Sequence, residues 1–590
     1  MSKHLAQAEA LSARAGQAVA ARRLDEAESL LRRALKLAPG EAALWCNLGS
    51  VQGMAGHLDE AERSFRRASQ LAPSLGDIWT NLGRIQLMRG DFASAEADAR
   101  KGAQLAPNSA VAAKTLGDVL LCQGRADAAA LELGRALTLR PDWVEALNSL
   151  SSALKQTDRL VEAVAVCRRS LALAPTDTAA RNLVLALTYL PDCGDDELFQ
   201  AQSDWAARVM PLPGGGLPPP ANSPDPMRRL RVGYLSADFR NHPVARNVIE
   251  VLRHHDRAEV EVFAYAHLPA PDELSREIES LVDGWRDITR INDRQAARLI
   301  HDDGIDILVS LAGWTGDNRP GICAWRPAAV QVSYHDVGSS ALPVMDAWLT
   351  DEALHPGHTT ERFSERLIRL PCFYLHAPIA DLPPVSPLPA GTDGPITFAS
   401  FNNPVKVTPP MLDLWARVLA AVPESRMMLK YAAAFADAAM RERFIQAFAS
   451  RGVAAERLVF GQDRLPRPEH LALYQQVDVA LDTFPFNGST TSFEALTMGV
   501  PVVTLAGGRF VSRVGISLLT ALGLEDLAAQ DADGFVALAA ALCADRQKLA
   551  ALRAGLRQRV QSSPLLDAPT YTRHLENAFR DLWRQWCSAA

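Results

Sequence analysis

Apolar and small positions in the first third of the chain return at a fixed interval. Alanine recurs at Ala27, Ala61, Ala95, Ala129 and Ala163, and leucine at Leu48, Leu82, Leu116 and Leu150. Small residues follow the leucines at Gly49, Gly83, Gly117 and Ser151, and proline recurs at Pro39, Pro73, Pro107, Pro141 and Pro175, every series stepping by 34. Thirty-four residues hold two helices and two turns, with the small residues where paired helices approach closely and each proline ending a helix near the turn. The pattern predicts five helix pairs over about residues 6 to 175, capped by residues 176 to 190.

The periodicity then changes. A helix is expected over "DELFQAQSDWAARVM", followed by "PLPGGGLPPPANSPDP" (211–226), a stretch rich in residues that continue neither helix nor strand. Beyond it, short apolar runs alternate with amphipathic stretches: "RVGYLSA", "VEVFAYA", "IDILVSLAG", "AVQVSYH", "ITFASF", "RMMLKY", "RLVFG", "VDVALDTF" and "VPVVTL". Continuous apolar strands separated by helices argue for parallel sheets covered on both faces. The chain therefore divides into repeats with a cap (1–190), a helix and linker (191–228) and two doubly wound domains (229–390 and 391–590). Ligands in such domains bind at the carboxyl ends of strands.

Composition narrows the class. With 590 residues, 48% of them hydrophobic, the chain is long enough for several cores. A net charge of −7 without an arginine-rich stretch gives no reason to expect a nucleic-acid surface. The eight cysteines are scattered, with no pair at zinc-ligand spacing, as expected of reduced thiols in a cytoplasm. No signal-type apolar region opens the sequence, and no run of about 18 apolar residues predicts a membrane span.

Candidate chemistry concentrates in "NGSTTSFEAL" (487–496), a hydroxyl-rich turn between the largely apolar runs Val477 to Phe486 and Val500 to Leu505. A helix starting there would offer unpaired N–H groups and a partial positive charge to an anion. Ser489, Thr490 and Thr491 are equally ordinary helix caps, and the ten residues alone favour the cap.

The repeats resemble tetratricopeptide repeats, whose stacked pairs present a groove that holds another protein. Packing against the rest of the chain, or dimerisation, is the alternative use. In the second half, "VGYLSADFRNHPVA" (232–245), "DGIDILVSLAGWTGDNRPGICAWRPAAVQV" (303–332), "FASFNNPVKVTPPMLDLWARVLAAVPES" (398–425) and "RLVFGQDRLPRPEHLALYQQVDVALDTFPFNGSTTSFEALTMGVPVVTLAG" (457–507) resemble, in order, the O-GlcNAc transferase family. That resemblance implies a glycosyltransferase type B fold of two Rossmann-like domains and metal-independent, inverting transfer of a sugar from a nucleotide to Ser or Thr of a protein. It places His242 beside the acceptor hydroxyl, Lys406 on the phosphates with Asn403 next to it, and Arg467 and His470 around the nucleobase. Thr490 and Thr491 fall on phosphate-binding threonines, Glu494 on an acidic residue for the ribose, and Asn487 and Ser489 in the same donor-binding turn. A lysine and a helix start would stabilise the leaving phosphate without a metal, and no cofactor is expected. Asp302, Asp303 and Asp306 are only guesses for a general base, and Asp238 is expected to bond its loop backbone.

Two places depart from that family: Ser489 stands where the family carries a histidine before the two threonines, and a loop differs more informatively. Where relatives carry Trp-Leu-Gly-Tyr-Pro-Gly-Thr near the donor sugar, this chain reads "YHDVGSS" (334–340), with His335 and Asp336 replacing a Leu-Gly pair. Those two residues are candidates for acid/base chemistry, or for a structural loop pair. Similar layouts occur in bacterial enzymes that attach nonulosonic acids such as pseudaminate to flagellin from a CMP donor. Three readings thus stand: flagellin modification from a CMP-nonulosonate, UDP-GlcNAc-dependent transfer to other proteins, and an inactive repeat scaffold. Partners are accordingly a protein acceptor and a nucleotide sugar, with homo-oligomers open and neither nucleic acid nor membrane expected.

Overall fold

The computed structural model describes residues 3–589. By contacts the chain falls into two compact units, Met1–Pro175 and Thr176–Ala590.

The first unit is ten helices, from α1 (Lys3–Ala20) to α10 (Leu160–Leu173), packed in sequential pairs. The five alanines of the repeat have no exposed surface. The glycines sit at the closest approaches: a Cβ on Gly49 would lie 2.9 Å from the Phe65 ring, and one on Gly83 2.9 Å from the Ala99 Cβ. Four of the five turns are also tied by a side chain. The Trp45 and Trp79 indoles donate to the Pro39 and Pro73 carbonyls at 2.9 Å, and Arg135 and Arg169 donate to those of Pro107 and Pro141 at 2.7 Å.

The second unit opens with α11 (Asp177–Tyr189), over residues expected to cap the repeats but grouped by contacts with this unit, and α12 (Asp195–Val209), over the stretch expected to be a helix. Two parallel sheets follow. The first contains β1 (Leu230–Ser236), β2 (Val260–Ala266), β3 (Gly284–Asp287), β4 (Ile307–Leu311), β5 (Val330–Tyr334), β6 (Ala347–Thr350) and β7 (Arg366–Arg369), in the order β3-β2-β1-β4-β5-β6-β7. The second contains β8 (Thr397–Ser400), β9 (Arg426–Lys430), β10 (Leu458–Gly461), β11 (Val479–Leu481), β12 (Val502–Leu505) and β13 (Ala528–Ala529), in the order β10-β9-β8-β11-β12-β13. Every neighbouring pair is parallel. In both sheets the winding reverses beside the first strand, between β1 and β4 and between β8 and β11. Those are the switch points at which doubly wound sheets leave a crevice.

Two further contacts shape this unit. Trp205 of α12 packs edge-on against Trp314 at 4.7 Å, and Arg181 of α11 donates to the Gly313 and Gly316 carbonyls at 3.1 Å. The final helix, Ala568–Ala589, returns to the first lobe, where Glu576 meets His255 Nδ1 at 2.8 Å and Trp583 Nε1 donates to the Asp225 carbonyl at 2.9 Å. Trp415 and Trp583 are fully buried, while Trp586 is half-exposed and stacks on Trp583. No described helix is long and apolar enough to cross a membrane.

Candidate functional site

The site is assembled from the loops that leave the strands at the two switch points. After β11, Asp482 gathers the chain around its carboxylate. Oδ1 accepts from the amides of Thr483 (2.8 Å) and Gly488 (2.7 Å), and Oδ2 accepts from the Thr504 hydroxyl (2.9 Å). Burial raises its pKa to about 6. Asn487 staples the same loop: its Nδ2 donates to the Thr483 carbonyl at 2.7 Å and its Oδ1 accepts from Gly515 at 3.2 Å. The Asn487 side chain, expected on the donor, is therefore buried inside the turn, because both its polar atoms close the loop.

This tight turn launches the helix Thr490–Thr497, and no side chain caps it. The cap reading of the three hydroxyl residues thus fails. The Thr491 hydroxyl donates to Asn402 Oδ1 at 2.7 Å, and the Ser489 hydroxyl pairs with the Tyr374 phenol. Uncapped, the first turn keeps its amide donors for a ligand.

After β8, Asn403 accepts from the Val405 amide at 3.1 Å and sets the short turn that delivers Lys406. The Lys406 amine donates to the Asn487 carbonyl at 2.7 Å and lies 4.2 Å from the centre of the Phe486 ring. Phe486 is itself stacked on Tyr189 at 5.0 Å. Burial, opposed by Asp482, brings the amine to a pKa of about 8. The structure therefore joins Lys406 to the turn that holds Thr490 and Thr491, although the sequence separates them widely.

Further into the same lobe, Glu494 is buried and faced by Arg467 Nη2 and His470 Nε2, each at 3.4 Å. From the first lobe comes His242, the residue preceding the helix Pro243–His254. Its Nδ1 lies 3.4 Å from the Val244 amide and 3.5 Å from Asp238 Oδ1, and burial, opposed by the Asp238 charge, lowers its pKa. Asp238 meets the Asn318 side-chain amide at 2.7 Å, where a bond to its own loop was expected. A cavity of about 530 Å³ lies between the lobes, lined among others by Pro243, Arg246, His376, Arg467, Thr490 and Phe493.

In the departing loop after β5, the two candidate residues take different surroundings. Asp336 is buried and accepts from the amides of Trp314 (3.0 Å) and Val337 (2.9 Å), tying this loop to the one after β4. Its burial lifts the carboxyl pKa to about 7, but the oxygens point into backbone, which is the structural alternative. His335 adopts a left-handed φ of 57° and packs 4.0 Å from Tyr334 and 5.1 Å from Phe373. Desolvation drops its pKa to about 3, and its Nε2 is buried without a partner among the described residues. Asp306 and Asp303 fall outside the cleft: both precede β4 at its amino end, held by Arg228 and by Arg286 respectively. Asp302 pairs with Arg298 on the surface.

Sequence reasoning missed Asp482, Asn402, Tyr374 and His376. Asp482 had a signal, being an acid directly after an apolar strand. His376 had none: it lies in an irregular segment, stacked 3.9 Å from Phe493.

Two doubly wound lobes around one cleft define the type B glycosyltransferase architecture. Residues 219–379 and 388–575 match glycosyl transferase family 41, and residues 12–74, 53–110 and 114–178 match tetratricopeptide repeats. The chain belongs to glycosyltransferase family 41. Among curated relatives, a Petunia hybrida protein described as probable UDP-N-acetylglucosamine–peptide N-acetylglucosaminyltransferase SPINDLY is 37% identical over 415 residues, 69% of this chain and 44% of the relative. The Arabidopsis thaliana protein described as the probable transferase SEC is 32% identical over 394 residues, 63% of this chain and 40% of that one. A solved structure of a Thermobaculum terrenum O-GlcNAc transferase point mutant superposes with a TM-score of 0.80 at 35% identity, covering 88% of this chain and 99% of that one. The chain spans under half the length of these curated relatives.

Proposed function

We propose that this chain is a cytoplasmic protein O-glycosyltransferase that takes a nucleotide sugar in the interlobe cleft and a protein through its repeats. One arrangement carries the reading: the Lys406 amine on the Asn487 carbonyl, beside an uncapped helix start, at the carboxyl ends of β8 and β11. The acceptor hydroxyl attacks the anomeric carbon opposite the phosphate, the sugar–phosphate C–O bond breaks, and the negative charge on the departing oxygen is met by Lys406 and the amides after Ser489. His242, whose burial favours the neutral imidazole, takes the proton that the hydroxyl loses. Glu494 faces the ribose, with Arg467 and His470 beside the base. In this scheme no metal takes part, so transfer should persist in EDTA.

A UDP-N-acetylhexosamine donor is favoured, since the relatives' printed activities name UDP-N-acetylglucosamine. The CMP-nonulosonate and flagellin reading leans on the loop 334–340 facing the sugar, and Asp336 bonding backbone amides weakens it. The scaffold reading is disfavoured by the intact Lys406 turn. Intact-mass spectrometry of candidate acceptors, flagellin included, from the native host and from a strain lacking this chain decides between them. The added mass identifies the sugar, and no mass difference on any acceptor, together with no thermal stabilisation by UDP or CMP, would leave the scaffold.

A further inference from the structure

Arg246 is a cation in the cleft to which none of the motifs above gives a role. It stands one turn into the helix Pro243–His254 of the first lobe and lines the same cavity as Arg467 and Thr490 of the second. One bond is evident, from Nη2 to Asn241 Oδ1 at 2.6 Å. Burial and the Arg467 charge both disfavour its charged form, while Glu494 favours it. Arg467 is no better supplied: its contact to Glu494 is long at 3.4 Å, and its Nε is buried with no partner among the described residues. Of these two guanidiniums from opposite lobes, only Arg467 contacts a carboxylate, that of Glu494, which His470 also approaches at 3.4 Å.

Three carboxylates of the first lobe, Asp272, Glu273 and Glu277, line the same cavity, and at least two of them are engaged elsewhere. Asp272 accepts from the amides of Asn241 (2.6 Å) and Ser275 (3.0 Å), and Glu277 is paired with Arg253. Of the guanidinium donors lining this cavity, Arg246 spends Nη2 on Asn241, and Arg467 leaves its Nε without a partner among the described residues. A guanidinium fork matches two oxygens of a phosphate in a way that a lysine does not.

We propose that Arg246 is a cross-lobe phosphate clamp: with a nucleotide seated against the second lobe, Arg246 reaches its phosphate from the first, so that anion binding draws on both lobes. This rests on the nucleotide-sugar reading above.

The test compares full-length wild type, Arg246→Gln and Arg246→Lys. Titration calorimetry measures UDP and CMP, and ligand-observed NMR measures uridine and cytidine, which lack the phosphate. Arg246→Gln should weaken the nucleotide that binds by about 10- to 100-fold, the range expected for losing a hydrogen bond to a charged group. It should leave the matching nucleoside unchanged and flatten the salt dependence, with Arg246→Lys recovering only part of the loss. Equal nucleotide affinity in wild type and Arg246→Gln would overturn the clamp alone, as would a parallel loss of nucleotide and nucleoside. A wild-type chain that binds neither nucleotide would overturn the donor reading and the clamp together.

Discussion

Lys406 is the residue on which most of the chemistry converges. Replacing it by methionine keeps the aliphatic contact with Phe486 and removes the charge, so turnover should fall by about 10² to 10³, the usual loss for one donor to a developing oxyanion. A coupled assay for released nucleotide measures this. Its amine, with a pKa near 8, also gives a pH signature. The charged form binds phosphate, so nucleotide affinity should weaken as pH rises through about 8. Stability moves the other way. The folded pKa lies below that of an ordinary lysine, so folding is penalised while the amine is charged, and the penalty fades above about 8. The melting temperature of wild type relative to Lys406→Met should accordingly rise from pH 7.5 to 9.5, measured without nucleotide. Residues such as Lys406 and Thr490 are singled out by the family resemblance, and the apolar strand before each shows where its loop must emerge. His335 and Asp336 are not legible in this way. A departure from a family pattern marks a place, but it does not say which way a side chain turns, and here one turned to backbone amides and the other into aromatic rings.

At the scale of elements, legibility follows burial. Val260–Ala266 and Ile307–Leu311 are almost wholly buried and read as largely apolar runs, broken only by Glu261 and Ser310. Arg366–Arg369 is an edge strand with exposed arginines at both ends, and Gly284–Asp287 is another half-buried edge, so neither pattern announces a strand. Ala347–Thr350 is fully buried but only four residues long, too short to show a period. The turn before the helix Thr490–Thr497 supplies a direct test of packing. A Cβ on Gly488 would come within 2.6 Å of the Ser492 and Thr491 hydroxyls and 2.7 Å of Asn402 Oδ1. Gly488→Ala should therefore destabilise the chain by about 1 to 3 kcal/mol, as overpacking typically does, and weaken nucleotide binding beyond that loss of stability. Denaturant melts with and without nucleotide separate the two effects. A variant that binds normally would show that the turn is not held as tightly as these distances require.

For the whole molecule, the division at Pro175 predicts separable duties. A chain beginning at Thr176 should keep the wild-type nucleotide affinity by calorimetry while losing transfer to a protein acceptor, because the repeats proposed to recruit it have gone. If transfer survives unchanged, the repeats serve another purpose. The repeat period itself is the most legible feature of the sequence, since five copies of one interval leave little room for another fold. What the sequence conceals is the path of the last helix, whose amphipathic pattern says that it packs but not against which lobe. That helix lies on the first lobe, with Tyr571 meeting Tyr334 and Arg580 donating to the Arg228 carbonyl. During translation, then, β5 and the helix Pro243–His254 leave the ribosome long before the element that covers them, and the lobe built first stays open until the lobe built second has been made. A nascent chain stalled anywhere in between would expose that uncovered apolar face, making it a natural point for chaperones to engage.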